Sequence, residues 1–399
     1  MLHSYTFSNF QSFLEETRVD LTVTRKVADS DWISSRPTGE RVSKVMAVLG
    51  ANGAGKTALL KPAAFLGWFI SQSFQNPIGS GIPVAPHFAA SNEPSAFSCV
   101  VDSADGHLWR YELLCTRQRV LREALYRKEK RFDHLFIREW DEKRKNYRIR
   151  QRDFGLSDNM IENVRPDVSL ISWAAQYGVP LALRIARPEL PWVTTNVTGV
   201  GRIKSSDDWL YVAARHYFEH PQHKDSMNRL LSSWDLGLEG VEIRQMNFPN
   251  PQNPEQQQTV LLPVGKHRSH GKLYDLPFAL ESSGTQGAFI HLMRVLITLE
   301  HGGIAVIDEF ESDLHPHMLE PLLGLFANPD INPHNAQLLF TCHAAEVLNI
   351  LHKSQVMLVE KDEDCESRAI RMDKVEGIRN DDNFYAKYMA GAYGAVPRI

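Results

Sequence analysis

GANGAGKT, Gly50 to Thr57, is the stretch from which the rest of the chain can be read. It satisfies G-x-x-x-x-G-K-[ST] and follows VSKVMAVL, Val42 to Leu49, an apolar run that reads as a buried strand. From Thr57 to Ser73 the apolar residues Leu59, Leu60, Ala63, Phe65, Leu66 and Phe69 recur at helical spacing, so the order is strand, glycine loop, helix. Backbone N–H groups of such a loop converge on phosphate oxygens at the positive end of the helix, and its glycines let the main chain approach without a Cβ. Gly50, Asn52, Gly53, Ala54 and Gly55 are therefore the candidate phosphate cradle. Lys56 is placed to reach the β- and γ-phosphates, and Thr57 offers a hydroxyl to Mg²⁺. The implied ligands are a nucleoside triphosphate and Mg²⁺.

A second stretch answers the first. In GGIAVIDEFESDLHP, Gly302 to Pro316, an apolar strand runs into Asp308 and Glu309. Asp308 at the strand end can hold magnesium, and Glu309 is placed to orient and polarise an attacking water. Acidic strand ends are also common as simple caps; the pairing with the glycine loop is what gives this one a function.

Outward from these motifs, residues 3 to 10 alternate, and Ser98 to Leu114 alternates again as a hairpin turning at Asp105 and Gly106. Asp158 to Leu236 is mostly helical in pattern, Leu236 to Asn247 returns to strand-like alternation, and Asn250 to Gln258 (NPQNPEQQQ) reads as a polar loop tip. A helix over Thr285 to Glu300 and strands at Gly303 to Ile307, Gln337 to His343 and Val356 to Lys361 complete an α/β pattern with a mostly parallel sheet. Neither internal repeats nor sustained heptads occur, which disfavours a long coiled-coil arm.

With 399 residues, 43% hydrophobic and 23% charged, the chain has enough material for two or three domains and a large core. Cys99, Cys115, Cys342 and Cys365 form no CxxC pair, and no apolar run approaches the roughly 20 residues of a membrane span. A soluble protein of the reducing cytoplasm, with no membrane partner, is expected. Net charge is −4, yet residues 117 to 152 carry 14 Lys/Arg against 6 Asp/Glu with five aromatics interleaved. That segment fits either a surface tracking a nucleic-acid backbone or an ordinary exposed sheet. Asp362, Glu363 and Asp364 read as a solvated turn, and His267 and His270, without a cysteine or carboxylate at metal-ligand spacing, as a loop.

ESSGTQG (Glu281 to Gly287), VIDEFESDLHP and LLFTCHAAEVL together resemble the ABC-type ATPase head shared by RecF, SMC and the overcoming-lysogenization-defect proteins, and NFQSF near the start resembles its opening strand. The chain is most similar to the short AAA-type-core ATPases of bacterial defence and abortive-infection loci, including the Rlo-type, whose GxYGAxP-like tail matches GAYGAVP, Gly391 to Pro397. The resemblance implies a P-loop NTPase fold: an ABC-ATPase-like head with a mostly parallel sheet, an antiparallel side sheet and a helical insert. It divides the chain into 1–115 (head with Walker A), 116–265 (basic strands and helical insert) and 266–399 (head with signature, Walker B and switch histidine).

By the same resemblance Ser283, Gly284 and Gln286 form the signature loop, which in the family contacts the γ-phosphate held by the opposite subunit. Glu311 to His315 resembles the D-loop and His343 the switch histidine, so Glu309, His343 and Lys56 are the expected catalytic residues, with Thr57 and Asp308 at the metal. SSGTQ departs from the LSGGQ of transporters, which disfavours a transporter subunit. No glutamine is assignable to the Q-loop; Gln72 and Gln75 fall in or just after the helix, and the loop is expected near His87 and Phe88. The family implies a homodimer or higher even oligomer that controls a separate effector, a nuclease or toxin, in anti-phage defence. The alternatives are a RecF- or SMC-like DNA-binding repair ATPase, and a scaffold that binds ATP but scarcely cleaves it.

Overall fold

The computed structural model describes residues 1–102, 106–186, 193–199, 201–202, 207–234, 236–250, 253–312, 316–379 and 381–396. The run expected as one strand, Val42 to Leu49, is two: Arg41–Ser43 pairs with Ile33–Ser35, and Val45–Gly50 begins after Lys44. Val45–Gly50 is the fourth strand of a six-stranded sheet ordered Val193–Thr195, Ile304–Ile307, Gln337–Thr341, Val45–Gly50, Val356–Lys361, Ser367–Arg371. Its first five strands run parallel and the last pairs antiparallel. Val45–Gly50, Ile304–Ile307 and Gln337–Thr341 are buried at every residue, which is why they read as unbroken apolar runs.

A seven-stranded antiparallel sheet holds Leu2–Ser8 between Thr17–Asp20 and Ser95–Asp102 and continues through Leu108–Cys115, Val120–Lys128, Phe132–Asp141 and Asn146–Gln151. The expected hairpin is present as Ser95–Asp102 against Leu108–Cys115, while Asp105 lies outside the described residues. Helix Lys56–Gln72 packs against strands of both sheets, and the Tyr5 hydroxyl donates to the Leu59 carbonyl at 2.7 Å. Leu59, Leu60, Leu66 and Phe69 on this helix are fully buried, each contributing roughly 1.5–3 kcal/mol of transfer free energy. The loop that starts the helix is thereby anchored from behind.

The chain divides into two compact units, one of Met1–Arg202, Thr298–Glu309 and Leu323–Ile399, the other of Ile203–Ile297 and Phe310–Leu322. The segments 1–115, 116–265 and 266–399 cut it elsewhere, because Leu108–Cys115 and Val120–Lys128 pair directly across residue 116. In the second unit are helices Asp207–Glu219 and Pro221–Ser233 and a three-stranded sheet of Gly240–Asn250, Asn253–Ser269 and Lys272–Pro277. The polar tip expected at Asn250 to Gln258 is shorter than that, since Gln257 and Gln258 pair with Pro249 and Phe248. A two-stranded ribbon needs no buried face, so its polar composition does not distinguish it from a loop.

The basic segment is mostly sheet, and several of its charges are paired there or with the neighbouring strand Leu108–Cys115. Arg122 contacts Glu112 at 2.7 Å and Glu139 at 3.6 Å, Arg150 reaches Glu139 at 3.4 Å, and the Arg110 and Arg119 guanidinium groups lie over the Tyr126 and Trp140 rings. Arg138 is a core residue. With no exposed surface, it donates to Glu123 at 3.3 Å and to the carbonyls of Val168 and Arg165 at 2.8 and 2.5 Å. Glu123, equally buried, also accepts from the Tyr111 and Ser169 hydroxyls. Removing one member of such a pair leaves a buried charge, so Arg138→Leu is expected to lower unfolding free energy by about 3–5 kcal/mol in urea titrations. A loss under about 1 kcal/mol would contradict this assignment.

Candidate functional site

Gly50 ends its strand so close to the next that an added Cβ would collide with the Val359 carbonyl oxygen. At Gly55, φ is +112°, and a Cβ would collide with the hydroxyls of Ser367 and Ser12. Those hydroxyls are themselves part of the loop's scaffold. Ser367 donates from its hydroxyl to the Ala54 carbonyl at 2.6 Å and from its amide to the Ser12 carbonyl at 2.7 Å. Asn52 and Gly53 are exposed at the crown, while Ala54 and Lys56 are buried. The Lys56 Nζ donates to the carbonyls of Gly50 and Ala51 at 2.8 and 3.1 Å and stands 3.4 Å from His343 Nδ1.

Asp308 is the node of the site. It is 4% exposed, and its carboxylate accepts from the Thr57 hydroxyl at 2.9 and 3.0 Å and from the Thr341 hydroxyl at 2.7 Å. Burying a carboxylate without such donors would cost several kcal/mol. The Thr341 oxygen in turn accepts the Glu309 amide at 2.7 Å. That bond holds Glu309 at φ +49°, a left-handed conformation costing a non-glycine residue about 1–3 kcal/mol. The Glu309 carboxylate reaches within 3.8 Å of His343 Nε2, and both side chains are partly open to solvent. Lys56, Thr57, Asp308, Glu309 and His343 thus converge at the C-terminal ends of three adjacent parallel strands. Two hard oxygen donors side by side, the Thr57 hydroxyl and the Asp308 carboxylate, suit Mg²⁺, which takes few protein ligands and completes its shell with water and phosphate.

Two residues of the site carry no motif in the sequence. The Asn196 side chain donates to the Asp308 carbonyl at 2.9 Å and accepts the Asp308 amide at 2.8 Å. It extends by one residue the parallel pairing of Val193–Thr195 with Ile304–Val306. Lys61, one helical turn after Thr57, is buried and donates to the Gly199 carbonyl at 3.1 Å, tying the same segment to the helix. Burial lowers the Lys61 pKa, and the nearby Asp308 charge opposes that shift. The other missed residue is Thr341, whose only sequence signal is a hydroxyl inside the otherwise apolar LLF strand.

The loop expected near His87 and Phe88 is held by its own bonds. His87 is buried, its Nδ1 accepts the Ala89 amide, and its own amide donates to Asn9, whose side chain also binds the Ala90 and Glu93 carbonyls. The amide side chain bound to the Walker B turn is Asn196. In the second unit, helix Ser283–His301 begins at the expected signature residues. Ser282 accepts the Thr285 amide at 3.1 Å, and Gln286 donates to the carbonyls of Ala279 and Glu281 at 3.1 and 3.0 Å, so its amide fixes the loop in front of Ser283 and Gly284. Residues 313–315 of the D-loop segment lie outside the described residues.

His267 does have a carboxylate neighbour, contrary to expectation: Glu281 Oε1 lies 2.7 Å from its Nε2, brought there by the fold from fourteen residues away. His270 forms, with Gly271, a two-residue hairpin turn at φ +47° and +76°. Among the described residues no group of three His, Cys, Asp or Glu could hold a metal ion. Asp362 accepts the amides of Asp364 and Glu366, the turn that was expected.

The fold is that of a P-loop ATPase head, shared with SMC heads. The profile of the family described as "AAA domain, putative AbiEii toxin, Type IV TA system" matches residues 45–349, and the chain belongs to that family. No curated protein matches the sequence. Among solved structures, an SMC head bound to the C-terminal winged-helix domain of ScpA is similar at 10% identity and TM-score 0.51, over 92% of this chain and 96% of that one. An SMC head from Thermotoga maritima (14% identity, TM-score 0.43, 93% and 98% coverage) is more distant. So is one derived from Pyrococcus furiosus, bound to the C-terminal domain of ScpA (10%, 0.42, 92% and 95%).

Thr341→Val keeps the shape of the side chain but leaves the Glu309 amide without its acceptor. It is expected to lower stability by about 1–3 kcal/mol by thermal melting, and Thr341→Ser to recover most of that. Equal melting of both variants and the parent would show that the hydroxyl does not hold the turn.

Proposed function

We propose that the chain hydrolyses ATP and that two copies close around the nucleotide to control a separate effector protein in bacterial anti-phage defence. The observation that carries the reading is the Asp308 node, which gathers Thr57, Thr341 and Glu309 beside Lys56 and His343. In this reading Lys56 and the N–H groups of residues 50–57 hold the phosphates, and Thr57 and Asp308 hold Mg²⁺. Bound Mg²⁺ supplies charge that offsets the phosphate oxygens. Glu309 orients the attacking water and takes up its proton, and His343 contacts the γ-phosphate. Ser283 and Gly284, with Gln286 behind them, complete the pocket of the opposite copy.

A partner role is supported by the family, described by its toxin–antitoxin association. A similar fold, an SMC head, binds a domain of another protein, ScpA. The alternative of a DNA-binding repair ATPase keeps a basis in residues 117–152, where 14 Lys/Arg outnumber 6 Asp/Glu, although Arg122, Arg150 and Lys145 pair with Glu112, Glu139 and Glu142 and Arg119 lies over Trp140. Residence in the cytoplasm accords with the lack, among the described residues, of a helix long and apolar enough to cross a membrane.

Phosphate release and nucleotide binding measured together test the reading. Lys56→Ala should lose nucleotide affinity. Glu309→Gln should bind ATP, lose turnover by about 10²- to 10⁴-fold, and run as a dimer with ATP in light scattering. Equal turnover in parent and Glu309→Gln would remove Glu309 from the reaction, and a parent that takes up no ATP would remove the whole proposal.

A further inference from the structure

The tail motif beginning at Gly391 takes no part in the reaction just described, yet its described residues are tightly built. Helix Phe384–Met389, capped by Asn383, packs against the turn Ala345–Asn349, which starts two residues after His343. Tyr388 on that helix is 8% exposed, and its hydroxyl donates to the Ala395 carbonyl at 3.0 Å, closing the tail on itself. Burial, and then the nearby Cys342 thiol, raise the pKa of Tyr388. Gly391, Gly394 and Ala395 lie at φ +75°, +68° and +58°, so the repeated glycines of GAYGA serve two successive reversals. An added Cβ on Gly394 would stand 3.1 Å from the Glu360 carboxylate, in the strand whose Val359 pairs with Gly50.

The closing segment therefore adjoins both the turn behind His343 and the strand beside the phosphate loop. The ladder of the strand before His343 ends at Thr341, and the Cys342 amide donates to the Val48 carbonyl at 3.1 Å. We propose that residues Phe384–Val396 are a positioning element for His343, holding from behind the turn that sets its ring between Lys56 and Glu309. This rests on the role given to His343 above.

A double-mutant cycle with a spectroscopic readout tests it. Tyr388→Phe removes one hydroxyl and should leave melting and ATP affinity close to the parent, while kcat falls by up to about tenfold, the worth of one hydrogen bond. In a His343→Ala background the same change should cost nothing more. Gly394→Ala, strained at its φ, should lower melting, and its loss of turnover should likewise vanish in the His343→Ala background. In ¹³C-histidine-labelled protein, the imidazole signal missing from His343→Ala should move in Tyr388→Phe and stay in place in Arg138→Leu, a destabilised variant far from the tail in sequence. An unmoved signal, or equal loss of turnover with and without His343, would overturn the proposal. The signal is readable even if the parent turns over no ATP, which would count against the proposed function instead.

Discussion

A carboxylate buried at a strand end is stable only where donors are brought to it, and Asp308 receives them from two directions while its backbone is held from a third. Thr57 comes from the helix that follows the phosphate loop, Thr341 from the next parallel strand, and Asn196 grips the backbone from the strand on the other side. Parallel pairing makes this possible, because it places the C-terminal ends of successive strands along one edge of the sheet. The hydroxyl that satisfies Asp308 also holds Glu309 in its left-handed turn. Disturbing the node would therefore reach the proposed metal ligands, the proposed base and the His343 contact together.

The glycine loop and the Walker B strand were legible because each couples a residue pattern to a backbone requirement. A chain passing within collision distance of Val359 O and Ser367 must be glycine at Gly50 and Gly55, and a strand buried on both faces is mostly apolar. Asn196 was not legible. It follows a strand of only three residues, too short for periodicity, and its role depends on which strand lies beside it. Thr341 escaped for a similar reason, since a hydroxyl in a β-branched residue is ordinary in a strand until its partners are known. Chain order from the helix does not lead to Asn196, because the sheet brings its amide to the Asp308 backbone from more than a hundred residues later.

Charge was the weaker guide. Fourteen basic residues within 117–152 suggested a surface for an anionic polymer, but strand register sets many of them opposite acids or over rings. Composition counts charges and cannot see cross-strand pairing. Arg138 marks the limit of such reading: an arginine in a basic run that is wholly interior, bound to Glu123 and two carbonyls. The tail glycines are the converse, a motif known only by resemblance that acquires a physical reason from three left-handed residues in a closed coil.

The central claim is that two copies enclose a magnesium-bound triphosphate between the loop of one and the Ser283–Gly284 helix start of the other. A crystal structure with Mg²⁺ and a non-hydrolysable ATP analogue examines it most directly. The account predicts metal between Thr57 and Asp308, phosphates over residues 50–57, and the partner's signature loop on the γ-phosphate. Nucleotide bound elsewhere, or a loaded site that no second copy approaches, would contradict it.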